Sequence, residues 1–374
     1  MLKDKDFYFL DKDTTNPANQ IFIQNFNQLY AEIKDNELSF LGKIGIKSLF
    51  KSCFYLRQRY IKYLESYPDI KKTKINQPVF ISGLPRSGTT YLHNLLIHFL
   101  DRDGLEFWEL TEPIPYFNNS YIDVKIRKMR TFIIFFLYRL FTPNLQLMHP
   151  VKISSYEECW HLFKTSLGIY NLDFQFGMNS FGDWIRNNTI DQTYSEYKLM
   201  LKIISQSNKK KDLVLKCPEH ILFYNQLLNN FKDCKIIWIH RDPVKVISSY
   251  SSMIYEIQKF FLKRCTRKEV GEFVSNRFYD MINKGLENRG LNNFKVTDVN
   301  YIDLKNNPER SIESISENIG INIKNNQPFA TIKSLKKLKS KKLYSPEEFG
   351  INKDNVYQKF KNYIERFNIK SEFN

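Results

Sequence analysis

The sequence predicts a three-layer α/β/α architecture around a central, mostly parallel sheet, and three observations predict it. Residues 77–90 read QPVFISGLPRSGTT: an apolar run (Val79, Phe80, Ile81), a small-residue loop, then an amphipathic run that begins at Thr89 and continues YLHNLLIHFL. That order is strand, tight loop, helix. Residues 235–252, KIIWIHRDPVKVISSYSS, repeat it, with Pro243 in the first turn of the second helix. Finally, unbroken apolar segments alternate with helical ones, as strands buried on both faces do.

Taken in order, residues 1–76 form an N-terminal helical extension. Helical spacing runs through 20–67 (Phe22, Phe26, Leu29, Tyr30, then Leu49, Phe54, Leu56). A first strand at 78–82 feeds a helix over about 88–100. Residues 105–207 read as mostly helical, broken by Pro and Asn at 113–119 and 143–144, and form a helical cap or substrate insertion. Strands return at 212–216, 235–239 and 294–299, with long helices at 243–262 and 267–289. No repeat or linker divides residues 77–374, which we read as one α/β domain. With 374 residues and 42% hydrophobic content the chain can bury a full core.

The loop at 83–90 is the first chemical signal. Backbone N–H groups of a loop and of a helix's first turn converge on one spot and favour an anion. The spacing nearly matches G-x-x-x-x-G-K-[ST]: Gly83, four residues, Gly88, then Thr89 and Thr90. Thr89 stands where that pattern has its lysine, and the basic residue sits earlier, at Arg86. In nucleotide triphosphatases the lysine reaches the β/γ-phosphates, so its absence argues against ordinary ATP or GTP hydrolysis. The second signal is Arg241, just past a strand end, where open α/β sheets bind ligands. Ser249 follows eight residues later, about two helical turns on.

PRSGTT resembles the 5′-phosphosulfate loop of the sulfotransferases, which holds the sulfonate donor 3′-phosphoadenosine 5′-phosphosulfate (PAPS). HRDPVKVISS is similar to the same family's 3′-phosphate motif, in which a serine follows the arginine of R-[DN]-P by eight residues. The strand end LVLKCPEH at 213–220, the stretch 296–321 and the tail from Lys341 also resemble the family. W-E-L…P-x-P (Trp108 to Pro115) and H-P…E-E-C (His149 to Cys159) resemble its bacterial-type branch, related to protein-tyrosine sulfotransferases. Residues 1–70 carry no such motif.

The resemblance implies a P-loop-like fold and metal-independent, in-line transfer of a sulfonate from PAPS to a hydroxyl or amine. It implies donor contacts from Arg86, Ser87, Gly88, Thr89, Thr90, Arg241 and Ser249, with Tyr91 as an aromatic for adenine. Arg, with its bidentate fork, suits a phosphate. Lys341, Lys342 and Tyr344 would close over the donor. Arg86 and Lys216 are candidates to balance charge on the leaving oxygen.

The base is open between two residues. Cytosolic family members use a histidine two after the strand-end lysine, a position that here holds Pro218; His220 lies two further on. The protein-tyrosine branch uses a glutamate after the first helix, and Glu109 in FWELTEP occupies a similar place. A buried carboxylate with a raised pKa can act as a base. The bland alternatives are a salt bridge or cap for Glu109 and a structural hydrogen bond for His220. His149, Glu157 and Glu158 are weaker candidates.

Composition narrows the classes less. The net charge of +16 suits an anionic ligand, but much of the lysine falls in Asn/Lys-rich stretches such as NKKKD. A basic nucleic-acid-binding protein is the non-enzymatic rival, but no RNA- or DNA-binding module is recognisable, so no nucleic-acid partner is expected. A degenerate P-loop kinase or NTPase is the enzymatic one. Five scattered cysteines without C-x-x-C suggest a reducing, cytoplasmic setting and no zinc. The N-terminal stretch has no apolar signal region. The longest apolar run, FIIFFLYRLF at 132–141, is too short to span a bilayer. It is expected to be a buried or cap helix rather than one lying on a membrane, although peripheral membrane contact and a lining for a greasy acceptor pocket stay open. The aromatic-rich middle suits a small-molecule or lipid-like acceptor. Oligomeric state is not legible.

Overall fold

The computed structural model describes residues 16–35, 37–141, 151–188, 190–291, 294–324 and 345–373. Four parallel strands form one sheet in the order β2-β1-β3-β4. They are β1 (Val79–Gly83), β2 (Val214–Lys216), β3 (Lys235–His240) and β4 (Val296–Asn300). The strand bounds therefore fall within two residues of the expected ones.

Side chains alternate across this sheet as a pleat requires. Val79, Ile81, Ile237 and Ile239 point into one cluster with Leu92, Leu95 and Ile312. Phe80, Ile236 and Trp238 point into the other, larger cluster. Helix α3 (Thr89–Phe99) thus covers one face of the sheet. The larger cluster on the opposite face takes in the N-terminal helices α1 (Gln20–Asp35) and α2 (Phe40–Ser66), through Phe22, Leu29, Ile46 and Phe50.

Between α3 and β2 the described residues include the helices α4 (Phe107–Thr111), α5 (Ser120–Phe141), α6 (Leu172–Phe176), α7 (Asn179–Asn187) and α8 (Ile190–Asn208). The segment is helical as expected, but mostly in short pieces. Beyond it come α9 (Tyr224–Asn230), α10 (Pro243–Phe261) and α11 (Arg267–Leu291). Asp242 caps α10, its Oδ1 accepting from Val244 N at 2.8 Å, and Pro243 takes the first helical position. The C-terminal segment folds back: Phe349, Val356, Phe360 and Tyr363 enter the larger cluster.

One expectation fails on α5. Phe132, Ile133, Ile134 and Phe136 are each at least half exposed, and of residues 132–136 only Phe135 is buried. The helix is held by its polar side instead, where Arg127 Nη1 donates to the Glu112 carbonyl at 2.9 Å. No helix of the described residues is long and apolar enough to cross a membrane.

The connection β1–α3–β2 leaves β1 on one side, while β4 is reached on the other side of β3. The crevice beyond the C-terminal ends of the adjacent strands β1 and β3 is therefore a topological switch point, where such sheets bind ligands.

Candidate active site

The loop after β1 is built to bring backbone close to a ligand. Gly83 (φ 135°), Arg86 (φ 70°) and Gly88 (φ 99°) all adopt positive φ. A Cβ on Gly83 would meet the Ile239 carbonyl at 2.6 Å, and one on Gly88 would meet the Tyr301 ring at 2.5 Å. Only glycine fits either position. Arg86 has no such excuse; a non-glycine residue held in this region stores strain that clusters at functional sites. Ser87 is buried, and its Oγ has no hydrogen-bond partner among the described residues, so it is available to a ligand.

The loop after β3 meets the first one. Arg241 donates from Nη1 to the Arg86 carbonyl at 2.8 Å, and Arg86 donates from Nε to Ser249 Oγ on α10 at 3.2 Å. Both guanidinium groups thus face one crevice. The Arg241 guanidinium lies 4.0 Å from the centre of the Tyr301 ring. It also donates to Glu372 of the C-terminal segment, from Nε to Oε1 at 2.6 Å and from Nη2 to Oε2 at 2.9 Å. Asp242 does not pair with Arg241, because capping α10 and accepting from Glu372 N occupy its oxygens.

A third group enters from β2. Lys216, fully buried at the strand end, donates to Thr90 Oγ1 at 3.0 Å and pairs with Glu158 at 3.3 Å. Burial works to lower its pKa, but Glu158 and Glu157 outweigh this and hold it above the ordinary lysine value. Glu219 lies two residues beyond Cys217, whose thiol donates to it at 2.8 Å. Burial, then repulsion from Glu158, lifts the Glu219 carboxyl to about 7.

The two expected bases sit elsewhere. Glu109 closes the capping box of α4, with Oε2 accepting from Glu106 N at 2.6 Å and from Lys210 Nζ at 2.7 Å. Its Oε1 accepts from Asn208 at 2.5 Å, so both oxygens are held. His220 is buried against Phe80, Phe163 and Tyr197, with Nδ1 2.8 Å from the Tyr194 hydroxyl. Burial lowers its pKa to about 3, which keeps it neutral. Nearby polar and aromatic groups hold both residues, while His220 Nε2 has no hydrogen-bond partner among the described residues.

Tyr91 also departs in part. It packs on the α3 side of the sheet with its hydroxyl buried, and burial raises its pKa. The ring that touches both Gly88 and Arg241 belongs to Tyr301, immediately after β4. Thr89 is buried in the first turn of α3. His149, Lys341, Lys342 and Tyr344 lie outside the described residues.

Sequence reasoning named Glu158 only as a weak candidate and missed Glu219, Tyr301 and Glu372. A signal existed for the first two of these three, in KCPEH and in the strand-to-turn step at Asn300–Tyr301. Nothing marked Glu372.

The model of the sulfotransferase family matches residues 78–325, which span β1 to just beyond β4 and include both loops. The chain belongs to the sulfotransferase family. It is an enzyme that transfers a sulfonate group. The fold of this sulfotransferase is similar to that of STF1 from Mycobacterium tuberculosis H37Rv, with a TM-score of 0.80, 19% identity and 96% of each chain covered. It is also similar to STF9 from Mycobacterium avium, with a TM-score of 0.72 and 18% identity over 90% of this chain and 88% of the other. No curated protein sequence matches the sulfotransferase. Among its described residues no group of three or more His, Cys, Asp or Glu side chains is arranged to hold a metal ion.

Proposed function

We propose that this sulfotransferase takes its sulfonate from PAPS and delivers it to a hydroxyl of a small-molecule acceptor with apolar or aromatic surface. The observation that carries this reading is the joining of the two loops, Arg241 to the Arg86 carbonyl and Arg86 to Ser249. A donor with a phosphate at each end needs two anion seats a short, fixed distance apart.

The residues present fit such a donor. The loop N–H groups, Ser87 Oγ, Thr89, Thr90 and Arg86 hold the phosphosulfate end, and the orphaned Ser87 hydroxyl gains a partner there. Arg241 and Ser249 hold the 3′-phosphate, and the Tyr301 ring, with Tyr91 behind it in the same cluster, borders the adenosine. Bound in this crevice, PAPS supplies an activated sulfuryl group, whose transfer breaks one sulfur–oxygen bond and makes another.

Lys216 stands beside Thr90 as a buried cation and balances the charge that develops on the leaving oxygen. Glu158, ion-paired with Lys216 and partly exposed, accepts the proton of the acceptor hydroxyl. Glu219 is a second carboxyl that burial, then repulsion from Glu158, raises to about 7. Trp160 and His161 follow Glu158, their rings stacked at 3.8 Å, and Phe107 lies edge-on to His161 at 5.4 Å. These half-buried rings support an aromatic or apolar acceptor.

Calorimetric titration with 3′-phosphoadenosine 5′-phosphate tests the reading. The wild type should bind, and Arg86→Ala and Arg241→Ala should each lose on the order of 10-fold or more, the worth of one charge-assisted pair. Absence of binding to the wild type, or wild-type affinity in both variants, would overturn it.

A further inference from the structure

Helix α5 is built inside out. Its buried stripe, at a spacing of four, is Asp123, Arg127, Thr131 and Phe135, three of them polar. Those groups are knitted into the protein: Arg127 Nε donates to Asp123 at 2.8 Å and Nη1 to the Glu112 carbonyl at 2.9 Å. The Thr131 and Thr111 hydroxyls lie 2.9 Å apart, and Phe135 meets Phe107 edge-on at 5.4 Å. The opposite side carries Tyr121, Ile122, Met129, Phe132, Ile133 and Phe136, between 47% and 68% exposed. A water-facing helix has its apolar stripe turned inward. A contiguous exposed apolar patch marks an interaction surface.

The charges identify the partner. Lys125 is exposed beside Tyr121; Lys128, 3.9 Å from Glu106, and Arg130, paired with Glu112 at 3.2 Å, are each still close to half exposed. The helix's single acid in its described part, Asp123, is buried and neutralised by Arg127. The outer face is therefore apolar and basic without exposed acids. A two-fold dimer through this face would set like cations against each other. An anionic bilayer offers both what the rings need and what the cations need. The helix is not apolar enough to cross, so it lies in the interface plane.

We propose that α5 seats this protein on anionic lipid membranes, with Phe132, Ile133 and Phe136 entering the acyl boundary and Lys125, Lys128 and Arg130 meeting the headgroups.

The test is sedimentation of the full chain with vesicles of phosphatidylcholine, with or without phosphatidylglycerol. The wild type should pellet with the anionic vesicles, less so at high salt. The exposed double variant Phe132→Asp/Ile133→Asp should lose about 10-fold or more in partitioning, as two large side chains leave the lipid. Its thermal melt and nucleotide binding should match the wild type. Failure to pellet with anionic vesicles, undiminished pelleting of the variant, or a concentration-dependent wild-type dimer abolished in the variant would overturn the inference; the last would assign the face to a second copy.

Discussion

Arg241 and Glu372 are joined by two hydrogen bonds, 2.6 and 2.9 Å long, so a carboxylate from the C-terminal segment fills the arginine fork at the end of β3. The carboxylate is itself anchored, since Glu372 N donates to Asp242 at 2.7 Å and Ser371 Oγ lies 2.9 Å from the Tyr357 hydroxyl. A phosphate reaching Arg241 competes with it. Glu372→Ala should therefore tighten binding of 3′-phosphoadenosine 5′-phosphate by on the order of 10-fold, measured by calorimetry. Weaker binding would make Glu372 a group that positions the arginine rather than one that competes for it.

Glu158 should separate chemistry from binding. In Glu158→Gln the carboxamide keeps the shape but cannot take a proton at neutral pH. We expect kcat to fall by about 10²- to 10⁴-fold while nucleotide affinity changes little. A variant that keeps its kcat would move the base elsewhere, Glu219 first.

Gly88→Ala should damage loop and fold together. The added methyl would stand 2.5 Å from the Tyr301 ring, on a backbone at φ 99°. Strain and overpacking of this kind cost roughly 1–3 kcal/mol. Urea denaturation should show that loss, and nucleotide binding should weaken in parallel. An alanine variant with unchanged stability would mean that the ring swings away freely.

His220 gives a signed pH effect. Its folded pKa is about 3, below the ordinary value of 6.5, because burial disfavours the charged ring. The unfolded chain then binds the extra proton first, so this contribution is lost as pH falls from 6.5 toward 3. One such proton is worth up to about 1.4 kcal/mol per pH unit. His93, also lowered to about 3, acts in the same direction. Asp173 and Glu219, both raised to about 7, act in the opposite one, their burial weakening the fold as pH rises. All three are common to wild type and variant. His220→Phe should therefore flatten the stability profile between about pH 4 and 6 relative to wild type, by urea midpoints. Parallel profiles would mean that the ring is charged in the fold.

Much of the frame was legible because β1 and β3 carry strong local patterns: β-branched runs, a glycine loop and a proline-started helix. The two arginines were legible for the same reason, each standing one loop away from a strand end. The bonding of Glu109 and His220 was not, because their partners Asn208 and Tyr194 lie 99 and 26 residues away. Sequence position cannot show such a partner. The exposure of α5 was hidden for a different reason: FIIFF is apolar on every side, so periodicity could not say which side faces water. Glu372 comes within reach of Arg241 only once the tail has packed, and no local pattern encodes that return.

Gly83 pairs directly with Ile239 in the parallel register of β1 and β3. The two anchor points therefore descend from backbone that is bonded side by side. A slip of one residue would turn each strand's inner side chains outward and pull the arginines out of step. On the proposed reading of the site, a half-assembled chain in which β3 has not yet docked would lack the Arg241 seat. Nucleotide capture is thus a readout of completed assembly, and a non-reactive donor analogue added during refolding would act as a chaperone by mass action.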